Sequence, residues 1–96
     1  MRLSIDPRAR QEFLDAALYY NEASPSVSER FITAIESALD EITMFPNRYP
    51  IERGKFRFRQ LLKFPYSIKY QVKGDIVRVH AIAHAKRKPG YWSDRK

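Results

Sequence analysis

Residues 66–84, YSIKYQVKGDIVRVHAIAH, restrict the possible folds of this chain more than any other stretch. Tyr66, Ile68, Tyr70 and Val72 alternate with Ser67, Lys69 and Gln71. After Lys73-Gly74-Asp75, Val77, Val79, Ala81 and Ala83 alternate with Arg78, His80, Ile82 and His84. A period of two sends alternate side chains to opposite faces of a sheet, so the pattern predicts two strands with one apolar and one basic face. Gly74 supplies the positive φ that a tight hairpin turn requires. The apolar face needs a cover, which the rest of the chain has to provide.

The cover is legible upstream. Asp6 before Pro7 is an N-cap followed by a residue that needs no N–H at the first helical position. A helix from Pro7 to about Ala23 follows, with Ala9, Phe13, Ala16, Ala17 and Tyr20 at helical spacing. Leu14 and Leu18 widen that stripe and predict packing on more than one side. Ser24-Pro25 repeats the cap-then-proline signal, and Ser26 with Glu29 offers a capping box as an alternative start. The second helix, to about Phe45, carries Val27, Phe31, Ile35, Ala38, Ile42 and Phe45 on its stripe, with Glu36, Asp40 and Glu41 on a solvated face. So short a break predicts an antiparallel helical hairpin.

Residues 1–5 fit a short strand, and 47–54 a loop between Pro46 and the next strand. Residues 55–64 alternate again, with Phe58, Gln60, Leu62 and Phe64 on one face and Arg57, Arg59, Leu61 and Lys63 on the other. Pro65 separates this strand from the next. The expected fold is α+β in two layers, a single domain over residues 1–96. An N-terminal strand and an antiparallel helical hairpin pack on a mainly antiparallel twisted sheet. Arg57, Arg59, Lys63, Lys69, Arg78, His80 and His84 would gather on the uncovered face.

Charge sharpens that expectation. Residues 1–45 carry four Arg against eight acids, whereas residues 46–96 carry fourteen Lys or Arg against three acids. Such asymmetry suits a nucleic acid or an acidic protein segment as partner. The chain has no cysteine and so no disulfide framework or thiolate zinc site. No apolar run approaches the roughly 20 residues of a membrane span. The N-terminal residues lack a secretory apolar core, so a cytoplasmic protein is expected. With glycine only at positions 54, 74 and 90, there is no phosphate-cradling loop. His80 and His84, four residues apart in a strand, would lie about 13 Å apart and are not expected to share a metal ion. No cofactor is implied.

The order of strand, helical hairpin and basic antiparallel strands, with FPYSIKYQV, DIVRVHAIAH and RKPGYW, resembles the RelE/ParE superfamily. These are toxins of type II toxin–antitoxin modules, also called plasmid stabilisation proteins. The resemblance covers nearly the whole chain, from the first helix to Arg95. It implies a cognate antitoxin, acidic and encoded adjacently, whose C-terminal segment wraps the basic face formed by Arg57, Arg59, Lys63, Lys69, Arg78 and Arg87.

Two activities occur among the proteins it resembles. RelE-like members are ribosome-dependent endoribonucleases that cut messenger RNA with basic side chains and a tyrosine, an electrostatic and acid–base chemistry. Arg87 and Tyr91 match the positions those members use after the last strand, Arg59 is a candidate on an earlier strand, and His84 is a candidate acid or base. However, RelE-like members carry an arginine where this chain has Ser67. ParE-like members poison DNA gyrase by binding, and the FPY segment and His84 resemble that branch more. The resemblance therefore implies a ParE-like gyrase inhibitor, with RelE-like cleavage of messenger RNA as the alternative.

Overall fold

The computed structural model describes residues 1–96, and the predicted hairpin is its centre. Strand β4 (Tyr66–Lys73) pairs antiparallel with β5 (Ile76–His84), and Gly74 between them has φ +62°. Around this pair lie β1 (Arg2–Ile5), β2 (Ile51–Arg53) and β3 (Phe56–Gln60), in the order β1-β5-β4-β3-β2. Only β1 joins in parallel, along β5. The fold is α+β, as expected.

Helix α1 (Pro7–Ala23) starts where the cap signal placed it: Asp6 accepts from the Arg8 backbone N–H at 2.8 Å. Helix α2 (Pro25–Met44) starts at proline after Ser24, whose side chain makes no cap bond. The two helices lay Ala9, Ala16, Phe31, Ile35, Ala38 and Ile42 onto Ile68, Tyr70, Val77, Val79 and Ile82 of the sheet. Burying each large apolar side chain contributes roughly 1.5–3 kcal/mol, which is what fixes the hairpin to the sheet. The Ser28 hydroxyl ties the helices together by donating to the Ala17 carbonyl at 2.8 Å.

The structure corrects four expectations. Leu14 and Leu18 are 47% and 60% exposed, so α1 packs on one side only. Ile51–Arg53, expected within a loop, pairs with β3 as an exposed edge strand. Strand β3 ends at Gln60, and the chain dips inward at Leu61 before turning.

The fourth correction concerns the faces. Lys69 pairs with Ala81 but Tyr70 with Val79, which leaves His80 as the extra residue of a β-bulge. A bulge moves every residue beyond it to the other face. Ile82 therefore joins the helix-covered core, while Ala81 and Ala83 turn to the open face with Phe56 and Trp92. His84 also goes to the helix side, where it meets Tyr66 edge-on at 5.0 Å, and His80 meets Phe56 at 5.0 Å on the opposite face.

Candidate functional site

No single basic face forms. Arg57 and Arg59 pair in register with Tyr70 and Ile68, whose side chains face the helices. Arg57 donates to the Tyr49 carbonyl at 2.7 Å and Arg59 to Glu41 of α2 at 2.6 Å. On the opposite face Lys69 is largely buried, 2.6 Å from Glu52, with its ammonium over the Trp92 ring at 4.5 Å. Arg78 reaches Ser4 at 2.7 Å and Asp6 at 3.6 Å. Acids that the sequence scattered thus neutralise much of the expected surface, and Lys63 and Arg87 remain exposed.

What covers the open face is the C-terminal segment. Beyond β5 the chain coils back through short turns, with Arg87 N–H on the His84 carbonyl, Ser93 N–H on Gly90 and Arg95 N–H on Trp92. Gly90, at φ +78°, lets this segment pass close to the Arg53 guanidinium. Trp92 ends 2% exposed against Phe56, Ala81 and Ala83. The segment is a strap across the sheet.

Its anchor is a carboxylate. Strand β1 pairs only with Ile76–Val79, so β5 from His80 onward has no partner strand on that side. Glu12 of α1 accepts the Ile82 backbone N–H at 3.1 Å, and Arg95 donates to the His80 carbonyl at 3.0 Å. The two are themselves paired at 3.0 Å, and both are largely buried. Glu12 also accepts the Tyr91 hydroxyl at 2.6 Å and lies 3.8 Å from Arg87, whose guanidinium covers the Tyr91 ring at 3.9 Å. An unpaired strand edge is thereby closed by side chains.

Of the residues expected to act on RNA, the fold lays the Arg87 guanidinium on the Tyr91 ring, turns the His84 ring edge-on to Tyr66 and holds Arg59 on Glu41. Burial, followed by the bond to Glu12, raises the Tyr91 pKa well above that of a free phenol, so the hydroxyl is held protonated. His84 accepts the Lys86 backbone N–H on Nδ1 at 3.0 Å. Ser67 is buried and donates to Gln60 at 2.6 Å. Glu12 and Arg95 were absent from the sequence reading. An acid three residues after Ala9, on the inward side of α1, was the available signal for Glu12.

A family model described as ParE toxin of type II toxin–antitoxin system, parDE, matches residues 3–89. The chain belongs to the ParE toxin family. The matched span includes Glu12, Ser67, His84 and Arg87, and it stops before Tyr91, Trp92 and Arg95. A solved structure, the chromosomal ParDE toxin–antitoxin system from P. aeruginosa, has the same fold. Its TM-score is 0.78 at 19% identity, with 90% of this chain and 97% of that chain covered. No curated protein matches the sequence. In this ParE-family chain Glu12, Tyr91, Arg87 and Arg95 form one corner in which a single carboxylate faces two guanidiniums, that of Arg87 exposed. No helix is long and apolar enough to cross a membrane.

Proposed function

We propose that this ParE-family toxin is neutralised by a cognate antitoxin and arrests growth in the cytoplasm by binding DNA gyrase, without cutting RNA. The observation that carries this reading is the engagement of Tyr91: its proton is committed to Glu12 at 2.6 Å, and burial keeps the phenol neutral. General-base chemistry at neutral pH needs a group that gives up its proton near that pH. Arg59 is bound to Glu41 on the helix side of the sheet, and the His84 ring is engaged edge-on with Tyr66 while its Nδ1 accepts the Lys86 backbone N–H. Gyrase as the target follows from the ParE-like branch that the chain resembles.

The test uses one purified sample in two assays. Supercoiling by gyrase should be inhibited, with cleaved DNA–gyrase complexes accumulating, while messenger RNA on translating ribosomes stays intact. Ribosome-dependent cleavage that Arg87→Ala abolishes would overturn this reading in favour of a RelE-like endoribonuclease. Co-expression of the small acidic protein encoded next to this chain should restore growth.

A further inference from the structure

Between α1 and α2, over the β1–β5 end of the sheet, lies a crevice of about 200 Å³. Phe13 of α1 and Ile35 and Leu39 of α2 line it from the helices, and Val79 and Ile82 line it from the sheet. Every lining residue is apolar except Arg10 and Glu36.

Size limits the occupant. Pockets for drug-sized molecules run from about 300 to 1,000 Å³, so this one is too small for them and far too small for a helix. An apolar cavity of about 150 Å³ stays dry and takes up a molecule the size of benzene. The crevice therefore suits one apolar side chain, whose burial would release no tightly held water.

Charge selects the molecule that carries that side chain. Arg10 and Glu36 are exposed on different helices, and neither makes an ion pair. Arg8, Arg59, Arg78 and Arg95, by contrast, each lie against a carboxylate. A hydrocarbon would use neither charge, an amine only Glu36, and a carboxylic acid only Arg10. A free α-amino acid carries a carboxylate and an ammonium on the carbon that bears its side chain, and a guanidinium fits a carboxylate with two parallel bonds. A residue inside a peptide chain has neither charge there, and a second copy of this chain would bring its own net charge of +7. We propose that the crevice binds a free α-amino acid with an apolar side chain of leucine to phenylalanine size, its carboxylate on Arg10 and its ammonium on Glu36. None of these groups belongs to the strap, so the site does not depend on how the toxin arrests growth.

The experiment titrates the full chain with L-phenylalanine and follows the backbone amide signals by NMR. Saturable shifts are expected at Phe13, Ile35 and Leu39, with a Kd on the order of 0.1–1 mM for so small a ligand. Phenethylamine and 3-phenylpropanoate each lack one of the two charges and should bind on the order of tenfold more weakly. Glycine, with no side chain to bury, should produce no saturable shift. Arg10→Gln and Glu36→Gln change exposed residues and should leave the melting temperature of the free protein unaltered. Each should weaken L-phenylalanine on the order of tenfold, yet Arg10→Gln should leave phenethylamine, which has no carboxylate, at its wild-type affinity. Absence of saturable shifts at these residues up to about 20 mM L-phenylalanine would overturn the site. Equal affinity for all three aromatic compounds, or for L-phenylalanine in both variants, would make the crevice a non-specific apolar hole and overturn its assignment to an amino acid.

Discussion

The Tyr91 hydroxyl meets the Glu12 carboxylate at 2.6 Å across 79 residues of sequence. The same carboxylate accepts from Arg95 and from the Ile82 backbone N–H, so one side chain holds the first helix, the last strand and the C-terminal strap together. Glu12→Ala would leave a largely buried guanidinium without its counter-charge, a change that destabilises by about 3 kcal/mol. The expected loss in melting temperature is on the order of 15 °C. Tyr91→Phe removes one hydrogen bond and should lower stability by only about 1 kcal/mol. Equal losses in the two variants, measured by urea unfolding, would mean that Arg95 does not depend on Glu12.

His80 makes stability depend on pH. It is fully buried at the bulge, 3.1 Å from Gln71, with Lys73, Arg78 and Arg95 nearby and Asp6 as the opposing charge. Desolvation first, then the neighbouring cations, lowers its pKa from 6.5 to about 4. Between those values the unfolded chain binds the proton and the folded chain does not, so stability is complete above the upper value and falls as pH drops. The loss from pH 7.5 to pH 4.5 should be about 2 kcal/mol. Urea melts at the two pH values measure it, and His80→Gln should remove most of the difference. An imidazole proton signal titrating near the unfolded value would contradict this account.

The bulge that buries His80 is also where sequence reasoning went astray. Tyr66 to Val72 alternates cleanly, and both helices carry one apolar stripe, so the layers and the hairpin were legible. In Val77 to His84 apolar residues occur at both parities: Val77 and Val79 suit one face, and Ile82 the other. Only the pairing with Lys69 and Tyr70 shows where the phase slips. The site was hidden for another reason. Glu41, Glu52, Asp6 and Glu12 neutralise Arg59, Lys69, Arg78 and Arg95 from positions 17 to 83 residues away, and alternation carries no information about such partners. ParE-family membership was legible because the order of elements survives both errors.

A second acid-sensitive group lies beside the same stretch of β5, where the Asp6 backbone N–H donates to the Val79 carbonyl at 2.9 Å. Asp6 is buried, and its hydrogen bond from Arg8, with Arg78 adding charge, holds its pKa down from 3.8 to about 2. The folded carboxylate loses its proton more readily than the unfolded one, so its contribution is present above the upper value and disappears as pH falls through the lower. Arg8 is more than half exposed, and solvent screening reduces the contribution to about 1 kcal/mol. Asp6→Asn should therefore destabilise at pH 6 and match the wild type near pH 2. A constant difference across that range, in thermal melts, would assign the effect to the lost cap geometry instead.

Trp92 is the only tryptophan, and its burial against Phe56, Ala81 and Ala83 makes it a direct reporter of the strap. Its indole N–H is buried without an acceptor, so its hold on the sheet comes from packing and from the Lys69 ammonium over the ring. Trp92→Phe forfeits no hydrogen bond and should destabilise by about 1 kcal/mol, whereas Trp92→Ala leaves a cavity and should destabilise by about 3 kcal/mol. Lys86, Arg87 and Lys88 lie exposed at the start of the strap, where the backbone is held in turns by the Arg87 N–H on the His84 carbonyl and the Tyr91 N–H on the Lys88 carbonyl. Trypsin should cut after Lys86 and Arg87 faster in Trp92→Ala than in the wild type, with residues 1–86 remaining folded longer than the released tail. Cleavage at equal rates, with wild-type fluorescence already at the wavelength of a solvated indole, would show that the strap does not hold the sheet in solution.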